Sequence, residues 1–311
     1  MTEMLSYDFM QRALLAAVLV GVTAPAVGIY LVQRRQALLG DGMGHVAMTG
    51  VGLGFIFQTS PVWMAVLVCV LGAVVMELVR SRGNQRGDIA LAMLFYGGMA
   101  CGKLLVSLSA EAGSGSLESY LWGSILTVAP ADLITIAVLG AVVIAVTVGL
   151  RRQLFAICQD EEFARVTGLP VRLLNLLLAV MAAVTVTVAM RVVGLLLVSA
   201  LMVVPVVAAQ QLTRSFAATQ AAAIALGVVV SLAGVTGSYQ ADVPSGPAIV
   251  LLAIVVFALF SAISGPLARR RHRVPADRGP EVCDVRLPGQ GAADANACAQ
   301  SGPTSGAGLA Q

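Results

Sequence analysis

Residues 195–209 read Leu-Leu-Leu-Val-Ser-Ala-Leu-Met-Val-Val-Pro-Val-Val-Ala-Ala, an almost continuous apolar run. Apolar and polar residues do not alternate along it at period two, as they would in a strand of a closed membrane barrel. A segment this apolar is stable in lipid. Because lipid contains no water to bond with backbone N–H and C=O groups, the segment must form its backbone hydrogen bonds internally. The run therefore predicts a helix that crosses a membrane.

The composition extends this prediction to the whole chain. Of 311 residues, 58% are hydrophobic and only 11% are charged, whereas a soluble domain is usually about a quarter charged. At roughly 20 apolar residues per crossing, the hydrophobic content allows about nine crossings. This excludes a soluble enzyme, a disulfide-stapled secreted domain and a disordered chain. The net charge of +3 is too small to indicate nucleic-acid binding, and the five cysteines form no CxxC pair.

Apolar runs bounded by charge, glycine or proline give the candidate spans. They lie at about 13–32, 37–58, 61–79, 89–109, 131–150, 171–190, 192–212, 217–236 and 247–266. We therefore predict an all-α, polytopic membrane protein with about eight to nine transmembrane helices in a domain over residues 1–266. The count is open at 37–58, which is rich in glycine and polar residues. Residues 267–311 lack periodicity and are predicted to form a disordered cytoplasmic tail.

The distribution of basic residues predicts the orientation. With the N-terminus outside and the C-terminus in the cytoplasm, 16 of the 19 Lys and Arg residues fall inside. The run ending in Ala24-Pro25-Ala26 resembles a signal-peptidase site, but Glu3 and Asp8 precede Arg12, which is the wrong polarity for a signal peptide. It is interpreted as the first membrane span.

Asp41 and His45 are the most informative polar residues. They are four residues apart, so they lie on one face of a helix. Ionisable groups in an apolar stretch are costly and often mark an ion path. A carboxylate with an imidazole suits zinc, manganese or iron(II). The alternative is a pair that only joins two helices, although His45 is one of just two histidines in the chain.

A second polar stretch surrounds Asp242, the only charge between Arg214 and Arg269. Glycine and proline are expected to keep 237–247 from forming a continuous helix. Two interpretations stay open for this segment. It is either an ordinary external loop with a solvated Asp242, or a loop that dips inward and offers a third hard metal ligand.

The longest predicted cytoplasmic loop, 151–170, contains the signals of a short helix. Asp160 is a candidate N-cap, Glu161 and Glu162 fill the first turn, Gly168 ends the helix and Pro170 follows. A short capped helix suits docking into the groove of a partner. A simple surface helix fits the same pattern.

One stretch bears on whether the chain itself uses ATP. Residues 97–103 read Gly-Gly-Met-Ala-Cys-Gly-Lys, which matches the first part of a phosphate-binding loop. Leu104 stands where a Ser or Thr should hold magnesium, and the stretch lies inside an apolar span. We therefore expect any ATP hydrolysis to belong to another chain.

Four stretches together resemble the permease subunits of metal-ion ABC importers, the zinc, manganese and iron family, over about residues 10–266. They are Gln33-Arg34-Arg35 with Gly40, Asp41 and His45; Phe163-Ala164-Arg165 with Gly168 and Pro170; Val193 to Leu201 with Pro205 and Ala208; and Asp242, Pro244, Ser245 and Gly246 with Ile249-Val250-Leu251. Gly44 departs from the pattern, since a Ser usually precedes the His, and the tail has no counterpart.

The resemblance implies a type II ABC importer permease fold in the cytoplasmic membrane. It implies a second permease copy, two ATP-binding subunits and an extracytoplasmic metal-binding protein as partners. By the same resemblance, Asp41, His45 and Asp242 match metal-coordinating positions. A coupling helix falls at about 159–169, with Glu161, Glu162 and Gly168 as the residues for coupling to the ATPase.

These observations predict the transmembrane subunit of an ATP-driven metal importer, with zinc first, then manganese or iron(II), and no permanently bound cofactor. The chain itself is expected to catalyse no covalent reaction. A self-sufficient secondary metal transporter or channel is the main alternative. A membrane-embedded enzyme is disfavoured, since neither HExxH nor GxSxG occurs in the sequence.

Overall fold

The computed structural model describes residues 7–81, 86–109, 120–123, 130–190, 192–195 and 197–271. Every regular element within these ranges is a helix, which confirms the all-α class. The helices are α1 (Asp8–Gln33), α2 (Leu39–Ile56), α3 (Pro61–Arg80), α4 (Arg86–Leu108), α5 (Pro130–Gly149), α6 (Arg151–Gln159), α7 (Glu161–Val166), α8 (Val171–Ala189), α9 (Val198–Leu212), α10 (Phe216–Ala241) and α11 (Ser245–Arg271).

Within the described ranges, seven helices are long and apolar enough to cross a membrane. They are α1, α3, α8 and α10, together with Ile89–Leu108 of α4, Pro130–Gly149 of α5 and Ser245–Ala262 of α11. The two other predicted spans, 37–58 and 192–212, are also helical, but α2 has 18 residues and α9 only 15. Both are largely buried among the other helices, so neither depends on lipid contact for its apolar environment.

Local sequence explains where several helices begin. Pro61 opens α3, a position where its missing N–H costs nothing because the first helical N–H groups have no partner inside the helix. The Ser215 hydroxyl accepts the N–H of Ala218 at the start of α10. These starts agree with the sequence prediction within a few residues.

The predicted span 192–212 is corrected at its N-terminal end. Residues 192–195 form a turn, and α9 begins only at Val198. Gly194 has φ +91°, which only glycine adopts readily. The turn is buried, and the Leu195 N–H donates to the Tyr120 carbonyl at 3.0 Å. Irregular backbone is tolerated at membrane depth when it is enclosed by protein in this way.

The prediction that 237–247 does not form a continuous helix is confirmed, but the interruption is short. Helix α10 continues through Ala241 and α11 begins at Ser245, so only residues 242–244 are not helical. The backbone leaves the helix at Asp242, which adopts the left-handed conformation with φ 52°. The Ser238 hydroxyl donates to the Val243 carbonyl, which ties the residues after the helix to its last turn.

Helix α1 forms the centre of the compact unit Met1–Gly265 and is buried along most of its length. It packs against α5, α8, α9 and α10, while α2 lies between α3 and α4. This arrangement puts the end of α1 and the start of α2 at a junction where several helices meet. The predicted tail at 267–311 lies outside the described residues beyond Arg271 and stays a prediction.

Candidate functional site

Asp41 and His45 lie in the first turns of α2, on the same face, as their spacing predicts. Asp41 is half-buried, and His45 is buried with 8% of its surface exposed. The imidazole packs edge-on against the ring of Phe95 in α4, with ring centres 4.3 Å apart. An imidazole held in this orientation beside a carboxylate one turn away can supply two ligands to a divalent metal ion.

Helix α4 approaches α2 through the glycine-rich stretch that resembles a phosphate-binding loop. A Cβ on Gly98 would lie 2.9 Å from the His45 carbonyl carbon, and one on Gly102 would lie 2.9 Å from the Met48 side chain. The Thr49 hydroxyl donates to the Gly98 carbonyl at 2.9 Å. The stretch is therefore a helix-packing surface that supports His45, not a nucleotide loop.

A cavity of about 680 Å³ opens beside His45. The residues that line it are His45, Met48, Met99, Ala100, Lys103, Leu104, Ser107 and Leu121. Its walls are mostly apolar, and His45 is the only imidazole, carboxylate or thiolate ligand among the lining residues. Sequence reasoning did not identify Met48 or Met99, because methionines in an apolar helix carry no distinguishing pattern.

Three of the four stretches that carried the family resemblance meet around the turn at 192–195. A Cβ on Gly44 would lie 2.8 Å from the Leu195 carbonyl oxygen, and one on Gly246 would lie 2.1 Å from that of Val193. The Ser245 hydroxyl donates to the Val192 carbonyl at 2.9 Å. The departure at Gly44 thus has a packing reason, since a Ser there would push the turn away from His45.

Asp242 is exposed at the C-terminal end of α10. Among the described residues, no group of three or more His, Cys, Asp and Glu side chains is arranged to hold a metal ion. The structure therefore brings Asp41 and His45 together on one face without adding Asp242 to them. The role of Asp242 as a ligand or gate stays a prediction.

Asp242→Asn separates a functional carboxylate from a solvated one. Asparagine tolerates the left-handed backbone as well as aspartate does, so we expect stability to change by less than about 0.5 kcal/mol. If Asp242 is a gate or ligand, metal uptake falls while membrane abundance stays normal. Uptake at the parental rate would refute that role.

The short helix predicted at about 159–169 is present as α7, Glu161–Val166. The Asp160 carboxylate accepts the N–H groups of Glu162 and Phe163 at 2.9 and 3.0 Å. Gly168 has φ +83°, as expected of a residue that ends a helix. The predicted cap and terminator are therefore confirmed.

Two apolar side chains project from α7 although the helix lies outside the candidate spans. Phe163 is 64% exposed and Val166 is 86% exposed. Lipid does not cover them in the way it covers the exposed side chains of a membrane span. Exposed apolar residues of this kind commonly mark a protein interaction surface.

The two glutamates of α7 lie in different environments. Glu162 is exposed, whereas the Glu161 carboxylate lies 2.8 Å from Nη2 of Arg34 at the end of α1. Burial raises the pKa of the nearby Cys158 thiol to about 11, and Arg34 offsets only part of this. The thiol is therefore neutral at physiological pH, and Glu161 is the anion in contact with Arg34.

Known proteins resemble this chain over most of its length. The model of the ABC 3 transport family matches residues 6–264. The chain belongs to this family. The match covers all the helices from α1 to α10 and the whole candidate span Ser245–Ala262 of α11, so it accounts for nearly all of the compact unit Met1–Gly265.

Individual relatives extend the comparison. The chain is 32% identical to the manganese transport system membrane protein MntC of Halalkalibacterium halodurans, over 86% of this chain and 92% of the relative. It is 31% identical to a probable iron transport system membrane protein of Haemophilus influenzae, over 84% and 96%. Among solved structures, PsaBC from Streptococcus pneumoniae in complex with Fab matches with a TM-score of 0.75 at 27% identity, covering 82% of this chain and 91% of that one.

Proposed function

We propose that this chain is the transmembrane permease subunit of an ATP-driven importer for a divalent transition metal ion. The observation that carries the proposal is the juxtaposition of Asp41 and His45 on one buried face of α2, in a chain of the ABC 3 transport family. A carboxylate and an imidazole at one face of a membrane helix suit transient coordination of such an ion.

Manganese is the first candidate cargo, because relatives of this chain are named for manganese transport. Zinc, which the sequence analysis put first, is the second, and iron(II) is the third. The ligand types do not separate these ions, since selectivity among first-row metals depends on geometry and supply as well as on ligand identity. Growth of a deletion strain on limiting metal, rescued by manganese or by zinc, separates the first two.

The proposed partners follow from the exposed surface of α7. In the orientation given by the positive-inside count, with the N-terminus outside, α7 faces the cytoplasm. Phe163 and Val166 then form an apolar projection that an ATP-binding subunit accepts in a groove. The full assembly contains two permease copies, two ATP-binding subunits and an extracytoplasmic metal-binding protein. Closure of the ATP-binding subunits displaces α7 and reorients the helices around Asp41 and His45.

The test is co-purification of an ATPase with the permease, followed by metal uptake into reconstituted vesicles. The proposal predicts uptake that requires ATP and the ATPase. A secondary transporter or channel, the alternative class, would move the metal without either. Phe163→Ser combined with Val166→Ser is expected to reduce ATPase binding, because both side chains are exposed and their removal leaves no cavity inside the permease.

Gly168 provides a further prediction about the same loop. A Cβ at Gly168 meets no atom within 4 Å, so the only obstacle to substitution is the positive φ. Gly168→Ala is expected to cost about 1–2 kcal/mol through that backbone strain, and the β-branched Gly168→Val is expected to cost more. We expect Gly168→Val to leave the permease inserted but to uncouple ATP hydrolysis from uptake or to prevent ATPase binding.

Gly149→Val is the matched control for Gly168→Val. A Cβ at Gly149 also meets no atom within 4 Å, and this glycine does not have positive φ. Metal-stimulated hydrolysis in vesicles and co-purification of the ATPase measure both variants. Unchanged binding and unchanged coupled transport in Gly168→Val would mean that this loop is not the docking element. The connection between α3 and α4, with Arg80, Arg82 and Arg86, would then be the next candidate.

A further inference from the structure

Arg34 joins three helices through one side chain. It is the residue that follows α1, and its side chain is only 6% exposed. Its Nη2 lies 2.8 Å from the Glu161 carboxylate in α7, and its Nη1 donates a hydrogen bond to the side-chain oxygen of Asn175 in α8. The two ends of one planar guanidinium therefore hold α7 and α8 against the end of α1.

This contact differs from an ordinary surface ion pair. Glu161 is 37% exposed, but its partner is buried, so the pair is shielded from salt far more than an exposed pair is. Burial lowers the pKa of Arg34, as does the positive charge of Arg80, whereas Glu161 and Glu77 raise it. Losing Glu161 would leave a buried cation without its closest anion, which is more costly than losing a surface pair.

The charged and polar side chains around Arg34 come from α3, α7 and α8. Arg80 and Glu77 of α3 form a second pair, with Nη1 and Oε2 3.7 Å apart, and Glu77 is buried. Asn175 is buried as well. The Glu161 carboxylate also lies 3.5 Å from Nη2 of the exposed Arg165 on α7, so the cluster contains three arginines and two glutamates. Removing Glu161 therefore leaves an excess of positive charge beside the buried Arg34.

Arg34 also lies close in sequence to the candidate metal ligands. Only residues 34–38 separate the end of α1 from the start of α2 at Leu39, and Asp41 lies in the first turn of α2. The backbone within this connection is sharply turned, because Arg35 has φ 57°. Arg34 and Asp41 are therefore linked by a short, folded connection.

Resting on the proposed function, we propose that Arg34 is a positioning residue for energy coupling. Through Glu161 it ties the short helix α7 to the ends of α1 and α8, so that a displacement of α7 by the ATP-binding subunit moves the start of α2. Glu161 therefore contacts the rest of the permease through Arg34, whereas Glu162 lies on the exposed side of α7. Lysine could not replace Arg34 fully, since a single ammonium cannot reach both partners with a planar fork.

The test compares Arg34→Gln, Glu161→Gln and the double variant in the complete complex with its ATPase, in reconstituted vesicles. The ratio of metal transported to ATP hydrolysed is measured alongside the thermal stability of the purified complex. Arg172→Gln is the control, because Arg172 is an exposed cation on α8, three residues from Asn175, and removing it changes the charge by the same amount.

We expect each single variant to lower the metal-to-ATP ratio by about tenfold or more, within the usual range of coupling between sites. Arg172→Gln should stay within about twofold of the parent, as exposed charges contribute little. The double variant removes both charges, so it should recover stability relative to the single variants but not the ratio. Arg34→Lys should give an intermediate ratio.

The double variant distinguishes coupling from a merely structural role. If its metal-to-ATP ratio recovers together with its stability, Arg34 only holds the fold and the inference is overturned. Parental ratios in both single variants overturn it as well.

If the parental complex accumulates metal with ATP, the proposed function stands whatever these variants do. If the parental complex shows no ATP-dependent uptake, the proposed function and this inference fail together.

Discussion

Asp41→Ala and His45→Ala are each expected to abolish metal uptake while the permease still inserts and still binds its ATPase. Asp41 is half-buried, so its truncation leaves no large internal void. His45 packs against Phe95, and its truncation is expected to cost about 0.5–3 kcal/mol, the usual range for single substitutions. That cost is compatible with assembly. Uptake of a radioactive metal ion into vesicles, normalised to permease abundance, measures the effect.

His45→Gln sharpens this prediction. Glutamine keeps a polar group of similar length but lacks the imidazole nitrogen that serves as a common metal ligand, so uptake should still fail. Met48→Leu is the matched control, because Met48 lines the same cavity and the change nearly conserves side-chain volume. It should transport normally. Parental uptake in both alanine variants would place the metal path elsewhere.

Gly194→Ala is expected to have the largest effect on folding. The backbone at Gly194 has φ +91°, and an added Cβ would lie 2.4 Å from the Leu121 carbonyl oxygen and 2.5 Å from the Trp122 carbonyl carbon. Both neighbours are backbone atoms, which cannot rotate away. The positive φ costs about 1–2 kcal/mol, and forced overpacking adds about 1–3 kcal/mol. A loss of this size is enough to remove most folded protein from the membrane.

Gly237→Ala is the control for this experiment, since a Cβ at Gly237 in α10 meets no atom within 4 Å. Membrane abundance and the unfolding temperature of the purified permease are the measurements. Gly237→Ala should match the parent in both. Normal abundance and normal uptake of Gly194→Ala would mean that the turn at 192–195 does not pack against residues 121–123 as described.

Hydropathy predicted the helices well but could not locate two of their boundaries. The run around Gly194 is as apolar as a membrane helix, and hydropathy does not distinguish a buried turn from a buried helix. Near Asp242 the helix was interrupted as predicted, but the predicted spans 217–236 and 247–266 stopped short on both sides. Gly237 lies inside α10, and the chain leaves this helix only at Asp242.

The parts of the candidate site that depend on local sequence were predictable. Asp41 and His45 share a face because they are four residues apart. Asp160 caps α7 and Gly168 ends the segment that follows it because both follow local backbone rules. The pair of Arg34 and Glu161 was not predictable in this way, because 127 residues separate its members and only the packing of α1 against α6 and α8 brings them together.

If the proposed function is right, this chain moves a metal ion only together with an ATP-binding partner. The decisive measurement is manganese or zinc accumulation by vesicles that contain the purified permease, with and without its ATPase, and with and without ATP. We expect accumulation only when ATPase and ATP are both present, and none for the Asp41→Ala complex under the same conditions. Accumulation by the permease alone, driven by an ion gradient, would show that the chain is a secondary transporter or channel instead.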